Sequence, residues 1–147
     1  NIILSRHVKQ GAMVRLRKNL YVAKSYLDNI ERKGIFSDYV EFAANKLYSP
    51  SYLSLDYVLH ENNMLTEIPR NITSVIKKGN LSILKATKTK ALFDFLYFRK
   101  RLLTDKRAVE ELRLNLDELT KKDFKEIKGY VEIEGSGKMK EIINWLK

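Results

Sequence analysis

GAMVRLRKNLYV, residues 11–22, is a glycine followed by two short runs in which apolar residues alternate with basic or aromatic ones. Met13 and Leu16 in the first run, and Leu20 and Val22 in the second, are interleaved with Arg15, Arg17 and Tyr21, the period of a strand with one solvated face. The alternation breaks at Lys18-Asn19, and because Asn tolerates a positive φ this pair predicts a tight hairpin turn. Upstream, NIILSRHVKQ (1–10) places Ile3, Leu4 and Val8 at helical spacing, with Arg6, Lys9 and Gln10 on the other side. Gly11 then closes that helix in the left-handed conformation. A helix, a glycine and a short basic hairpin make the second half of a winged helix.

Charge distribution agrees with that reading. The net charge is +10, concentrated in two blocks. Residues 1–24 hold six Lys or Arg and no acid, and residues 70–101 hold nine against the single Asp94. Residues 25–69 are net acidic and residues 102–147 balance. Clustered cations attract a polyanion by releasing its counterions. With no cysteine, the chain has no disulfide, no thiol nucleophile and no Cys-based zinc site. No apolar run reaches the roughly 18 residues that cross a bilayer, so no membrane is expected, and the expected compartment is the cytoplasm. The chain opens at Asn1 inside a helical pattern, so further residues are expected before it.

The rest of the chain reads as mostly helical. Residues 25–34, mixed in charge and ending at Lys33-Gly34, read as a linker. Ser37 is expected to cap a helix through Tyr39, Val40, Phe42, Ala43 and Leu47, broken by Pro50. Ser51 or Ser54 then caps a helix through Leu55, Val58 and Leu59 that stops near Asn62-Asn63. Ile72 to Ile76 and Leu81 to Leu84 read as two strands around a turn at Lys78-Gly79-Asn80. A long helix is predicted over Thr89–Leu103, with Ala91, Leu92, Phe95, Leu96, Phe98 and Leu102 as its apolar side. Thr104 or Asp105 caps a helix through Ala108, Val109, Leu112 and Leu116; further helices follow over 117–127 and 138–147, with a flexible break at Gly135-Ser136-Gly137.

Four segments in order, NKLYSPSYLSLDYVL (45–59), NITSVIKK (71–78), TKALFDFLYFRKR (89–101) and EELRLNLDEL (110–119), resemble the AbiEi family. These are antitoxins and autoregulators of type IV toxin–antitoxin systems of abortive infection. The resemblance implies an α+β protein, mostly helical: a partial winged helix at 1–24 (recognition helix and wing), a linker at 25–34, and an antitoxin-type α/β domain at 35–147 with a small sheet and C-terminal helices. It implies a repressor that binds an inverted repeat in its own promoter and counteracts a nucleotidyltransferase-like toxin. Two departures stand out. The two helices that precede the family's recognition helix are absent, and only Lys77 to Lys88 fills a space that holds a longer strand-rich segment in the family. Residues are expected to be missing at both places, so that Gly79 to Leu84 joins parts not adjacent in the full chain.

The DNA-binding set expected from this reading is Ser5, Arg6, Lys9 and Gln10 on the helix, aimed at base edges, and Arg15, Arg17, Lys18, Asn19 and Tyr21 on the wing, aimed at phosphates or the minor groove. The competing reading is a solvated helix face and hairpin tip. Lys77, Lys78, Lys85, Lys88, Lys90, Arg99, Lys100 and Arg101, with Arg70 beside them, form a second basic block that would extend a DNA track or meet an acidic partner. Phe93, Phe95, Tyr97 and Phe98 read as core rather than as a base-stacking platform, and Asp94 as a partner for a nearby Lys or Arg. His7 has no second ligand at metal spacing. No catalytic constellation, metal site or cofactor is expected. The alternative function is a protein-interaction module that neutralises a toxin, with DNA binding secondary.

Overall fold

The computed structural model describes residues 2–76 and 84–146. It is a mixed α and β structure, mostly helical, with eight α-helices and two small two-stranded sheets among the described residues. The chain divides into two compact units, Asn1–Ser49 and Pro50–Lys147.

The first unit opens with helix α1 (Ile2–Lys9). Gly11 has φ +73°, and the amides of Gly11 and Ala12 donate back to the Val8 and His7 carbonyls at 3.1 and 3.0 Å, closing the helix as its sequence predicts. Strands β1 (Met13–Arg17) and β2 (Leu20–Ala23) pair antiparallel around Asn19, at φ +65°. The register runs Met13↔Ala23 to Arg15↔Tyr21, then slips by a bulge so that Arg17 faces Leu20. One extra residue on β1 twists the hairpin locally.

Residues 25–34 are not a linker. Most of them form helix α2 (Lys24–Arg32). Its charged composition hides a narrow apolar stripe: Leu27 is half-buried and Ile30 is buried, while Lys24 and Asp28 pair on the surface at 2.7 Å. Gly34, at φ +70°, turns the chain into helix α3 (Phe36–Leu47). Ser37 lies inside the first turn of α3 and does not cap it; Ile35 occupies the N-cap without a side-chain bond. Tyr26 of α2 meets Tyr39 of α3 edge to face at 5.7 Å. Both helices thus fall in the unit of the hairpin, and the structural division comes at Ser49/Pro50 rather than at 24/25 or 34/35.

In the second unit Ser51 starts strand β3 (Ser51–Leu53) instead of capping a helix. β3 pairs antiparallel with β4 (Ser74–Ile76), and on its other edge Leu53 exchanges backbone bonds with Leu84 and Ala86 at 2.9 and 2.8 Å. The strand expected over Leu81 to Leu84 lies, apart from Leu84, outside the described residues. Helix α4 (Leu55–Glu61) stops at Asn62 with Asn63 at φ +56°, where its sequence places the end.

Helix α5 (Lys88–Arg99) is the centre of this unit. Six consecutive residues, Ala91 to Leu96, are buried, so over this stretch it is covered on every side by neighbours rather than amphipathic. It packs against α4, α7 (Lys121–Glu134) and α8 (Gly137–Trp145), with Leu92, Leu96, Ile127, Val131, Met139, Ile142 and Ile143 in the core. Phe98, expected inside, lies within α5 but on an exposed face; α5 ends at Arg99, so the helical phase fails beyond it, and Leu102, also expected inside, is exposed while Leu103 is buried. Helix α6 (Lys106–Glu110) is capped by Asp105, as expected, but is only five residues long. Leu112 and Leu116 lie past its end, beside Arg113 at φ +50°. Residues 117–127 do not form one helix: a single 3-10 turn covers Leu116–Glu118, and a capping box between Thr120 and Asp123 starts α7.

Candidate nucleic-acid interface

The first basic block lies on α1 and the hairpin. Ser5, Arg6, Lys9 and Gln10 are exposed, and Ser5, Arg6 and Lys9 share one face with Ile2 around a shallow depression of about 320 Å³. On the hairpin, Arg15, Lys18 and Asn19 are exposed at or near the tip. Neither Arg6, Lys9, Arg15 nor Lys18 makes an ion pair among the described residues. Arg17 is occupied differently from expectation: its guanidinium donates to the Leu47 carbonyl at the C-terminal end of α3. That end carries unpaired carbonyls and the negative pole of the helix dipole, so a guanidinium is a suitable partner there. Tyr21 is half-buried. His7 is exposed, and among the described residues no group of three His, Cys, Asp or Glu stands close enough to hold a metal ion.

The second basic block is largely neutralised within its own unit. Lys85 pairs with Glu61 at 2.9 Å, Lys88 with Asp123 at 2.9 Å, Lys90 with Asp94, Arg99 with Asp56 at 3.2 Å and Lys100 with Glu134 at 2.7 Å. Arg70 and Arg101 are exposed and have no carboxylate partner among the described residues, while Lys77 and Lys78 lie outside them. A net count along the sequence reads these cations as a track, but every carboxylate except Asp94, four residues from Lys90, comes from a segment far away in the chain. Lys90 sits among the rings of Tyr52, Phe93 and Tyr130 at 5.2, 5.4 and 5.8 Å. Asp94, buried, accepts from the Tyr52 and Ser54 hydroxyls at 2.8 Å each as well as from Lys90. Burial first, and the hydrogen bond to Asp94 second, push the Tyr52 phenol well above the ordinary tyrosine range, so it stays a donor. Asp94 is thus a structural partner of Lys90, as its sequence context predicts. Of the aromatic run, Phe93 and Phe95 are core, and Tyr97 and Phe98 are exposed.

Sequence reading passed over one basic feature. Lys121, Lys122, Lys125 and Lys128 are exposed within the first eight residues of α7 and make no ion pair among the described residues. Residues 102–147 balance in charge overall, which masks them; the spacing 121, 125, 128 is the signal that places three of them on one helical face.

No family model, curated protein or solved structure matches the chain.

Proposed function

We propose that this chain is a double-stranded-DNA-binding transcriptional regulator of the AbiEi antitoxin kind, repressing its own operon and counteracting a nucleotidyltransferase-like toxin. The observation that carries the DNA half is a set of four exposed cations within the first unit. Arg6 and Lys9 on α1, and Arg15 and Lys18 on the hairpin, are exposed cations with no carboxylate partner among the described residues. In this reading α1 enters a major groove, where Arg6 reads guanine and Gln10 adenine, and the hairpin tip lies on the phosphates. Arg17 serves the fold of its own unit rather than the DNA.

A gel-shift titration with DNA from upstream of the gene tests it. Arg15→Ala combined with Lys18→Ala is expected to weaken binding to all sequences and to flatten the slope of log K against log salt by about two. Arg6→Ala is expected to relax sequence preference instead. Absence of any shift at low salt, or equal affinity for random DNA, sinks the specific reading. The antitoxin half is tested in cells with the variant carrying Ala at 6, 9, 15 and 18. Rescue from the toxin that survives these changes assigns neutralisation to other surfaces.

A further inference from the structure

A groove of about 560 Å³ runs between the hairpin and α3. Its apolar part is Leu16, Leu20, Val22 and Ala43, with the rings of Tyr21, Tyr39 and Phe42. Its charged lining is Arg17, Lys18 and Lys46; among the described residues no carboxylate takes part. A second depression of about 320 Å³ shares Tyr39 and Phe42 and continues the apolar track to Tyr26, Ile30 and Ile35, with Asp38 at that end. Phe42 is 58 % exposed at the junction, and of the other apolar residues of α3 Phe36 is exposed while Tyr39, Val40, Ala43, Ala44 and Leu47 are at least partly covered.

We propose that this groove binds an acidic amphipathic peptide segment of a partner protein, laid along α3 with Leu or Phe side chains on the apolar track and its carboxylates toward Lys18 and Lys46. The track follows the twelve residues of α3, about 18 Å of helix, enough for two or three anchors at i, i+3 or i+4 and i+7. Lys18 and Lys46, beside an Arg17 held on the Leu47 carbonyl, have no acidic partner among the described residues, so they attract a carboxylate-rich ligand and repel a basic one. An unstacked nucleobase fits less well. Its polar edges would be pressed against Leu16, Leu20, Val22 and Ala43, an aliphatic floor that an apolar side chain covers without loss. Lys18 belongs both to this groove and to the hairpin tip of the DNA reading, so peptide and DNA compete. That competition rests on the DNA reading; the peptide binding does not.

The test is fluorescence anisotropy with the full chain and a labelled 14-residue helical peptide carrying Leu and Phe at i, i+4 and i+7 among Glu residues. The controls are a scrambled peptide of the same composition and an oligo-dT strand. Saturable binding is expected that weakens about tenfold or more with Phe42→Ser and with Lys46→Glu, neither of which belongs to the DNA-binding set. Unaltered thermal melting of both variants excludes misfolding. Peptide binding without DNA competition leaves the groove standing and removes only the wing from the DNA reading. Equal binding of the scrambled peptide, no binding, or oligo-dT binding lost on Phe42→Ser overturns the proposal. So does a self-association in sedimentation that Phe42→Ser abolishes, which would make a second copy the occupant.

Discussion

Asp94 accepts three hydrogen bonds in a nearly closed site, and two of its three partners lie forty or more residues away in sequence. Asp94→Asn leaves the Lys90 cation without its counter-charge inside an aromatic cage, so it is expected to destabilise the protein by about 3 kcal/mol in urea titration. Tyr52→Phe removes one neutral donor and is expected to cost about 1 kcal/mol in the same assay. The Lys90 contact was readable from the i,i+4 spacing; the Tyr52 and Ser54 contacts were not. Ser54 shows why. A serine one residue before a helix reads as a cap, but its hydroxyl is committed to Asp94. Thr73, from the other side of a long loop, takes over the cap: its hydroxyl accepts from the Tyr57 amide at 3.2 Å and donates to the Ser54 carbonyl at 2.6 Å. Thr73→Val keeps the shape and removes both bonds, and is expected to cost about 1 kcal/mol.

At the scale of elements, α5 and α7 are clamped at both ends. Lys88, the first residue of α5, pairs with Asp123 near the start of α7, and Lys100, its C-cap, pairs with Glu134 at the end of α7, so the two helices run parallel. The bond from Lys88, then that from the Thr120 backbone, holds Asp123 at about 2, and Lys100 followed by Ser136 holds Glu134 at about 2, both below their ordinary values. Depressed carboxylate values mean that this stabilisation is complete at neutral pH. It is lost as pH falls from about 5 toward 2, where the folded state must take up protons. Melting temperature followed over that range is expected to fall less steeply in the Lys88→Met, Lys100→Met double variant than in the parent. Between α7 and α8, the residues Gly135-Ser136-Gly137 that read as a flexible break form a fixed corner. Gly135, at φ +82°, ends α7, and the Ser136 hydroxyl caps α8 through the Met139 amide at 3.3 Å while bonding Glu134. Gly135→Ala is therefore expected to cost about 1 kcal/mol, a value a true linker would not show.

At the scale of the molecule, burial is uneven. The buried apolar residues of the first unit are Ile30 and Ala43 among those described, whereas the second holds a continuous core around α5. Local opening follows apolar contact, so hydrogen exchange is expected to be fast in α1 and the hairpin and slowest in α5. Equal protection would mean that the first unit draws stability from more than its own side chains. Much of this architecture was legible along the chain because it rests on local rules. Gly11 and Asn19 adopt the left-handed conformation their residue types favour, Asn62-Asn63 ends α4, and alternation marks the hairpin. α2 was missed because a nine-residue helix with one buried side chain has too narrow a stripe to stand out from its charges. β3 was missed because three residues are too few to show a period. The two basic blocks divide in the same way. The first kept Arg6, Lys9, Arg15 and Lys18 exposed without a carboxylate partner among the described residues, while Lys24 pairs with Asp28 and Arg17 with the Leu47 carbonyl. The fate of the second depended on Glu61, Asp123, Asp56 and Glu134, carboxylates whose closeness arises from packing and which no spacing along the chain encodes.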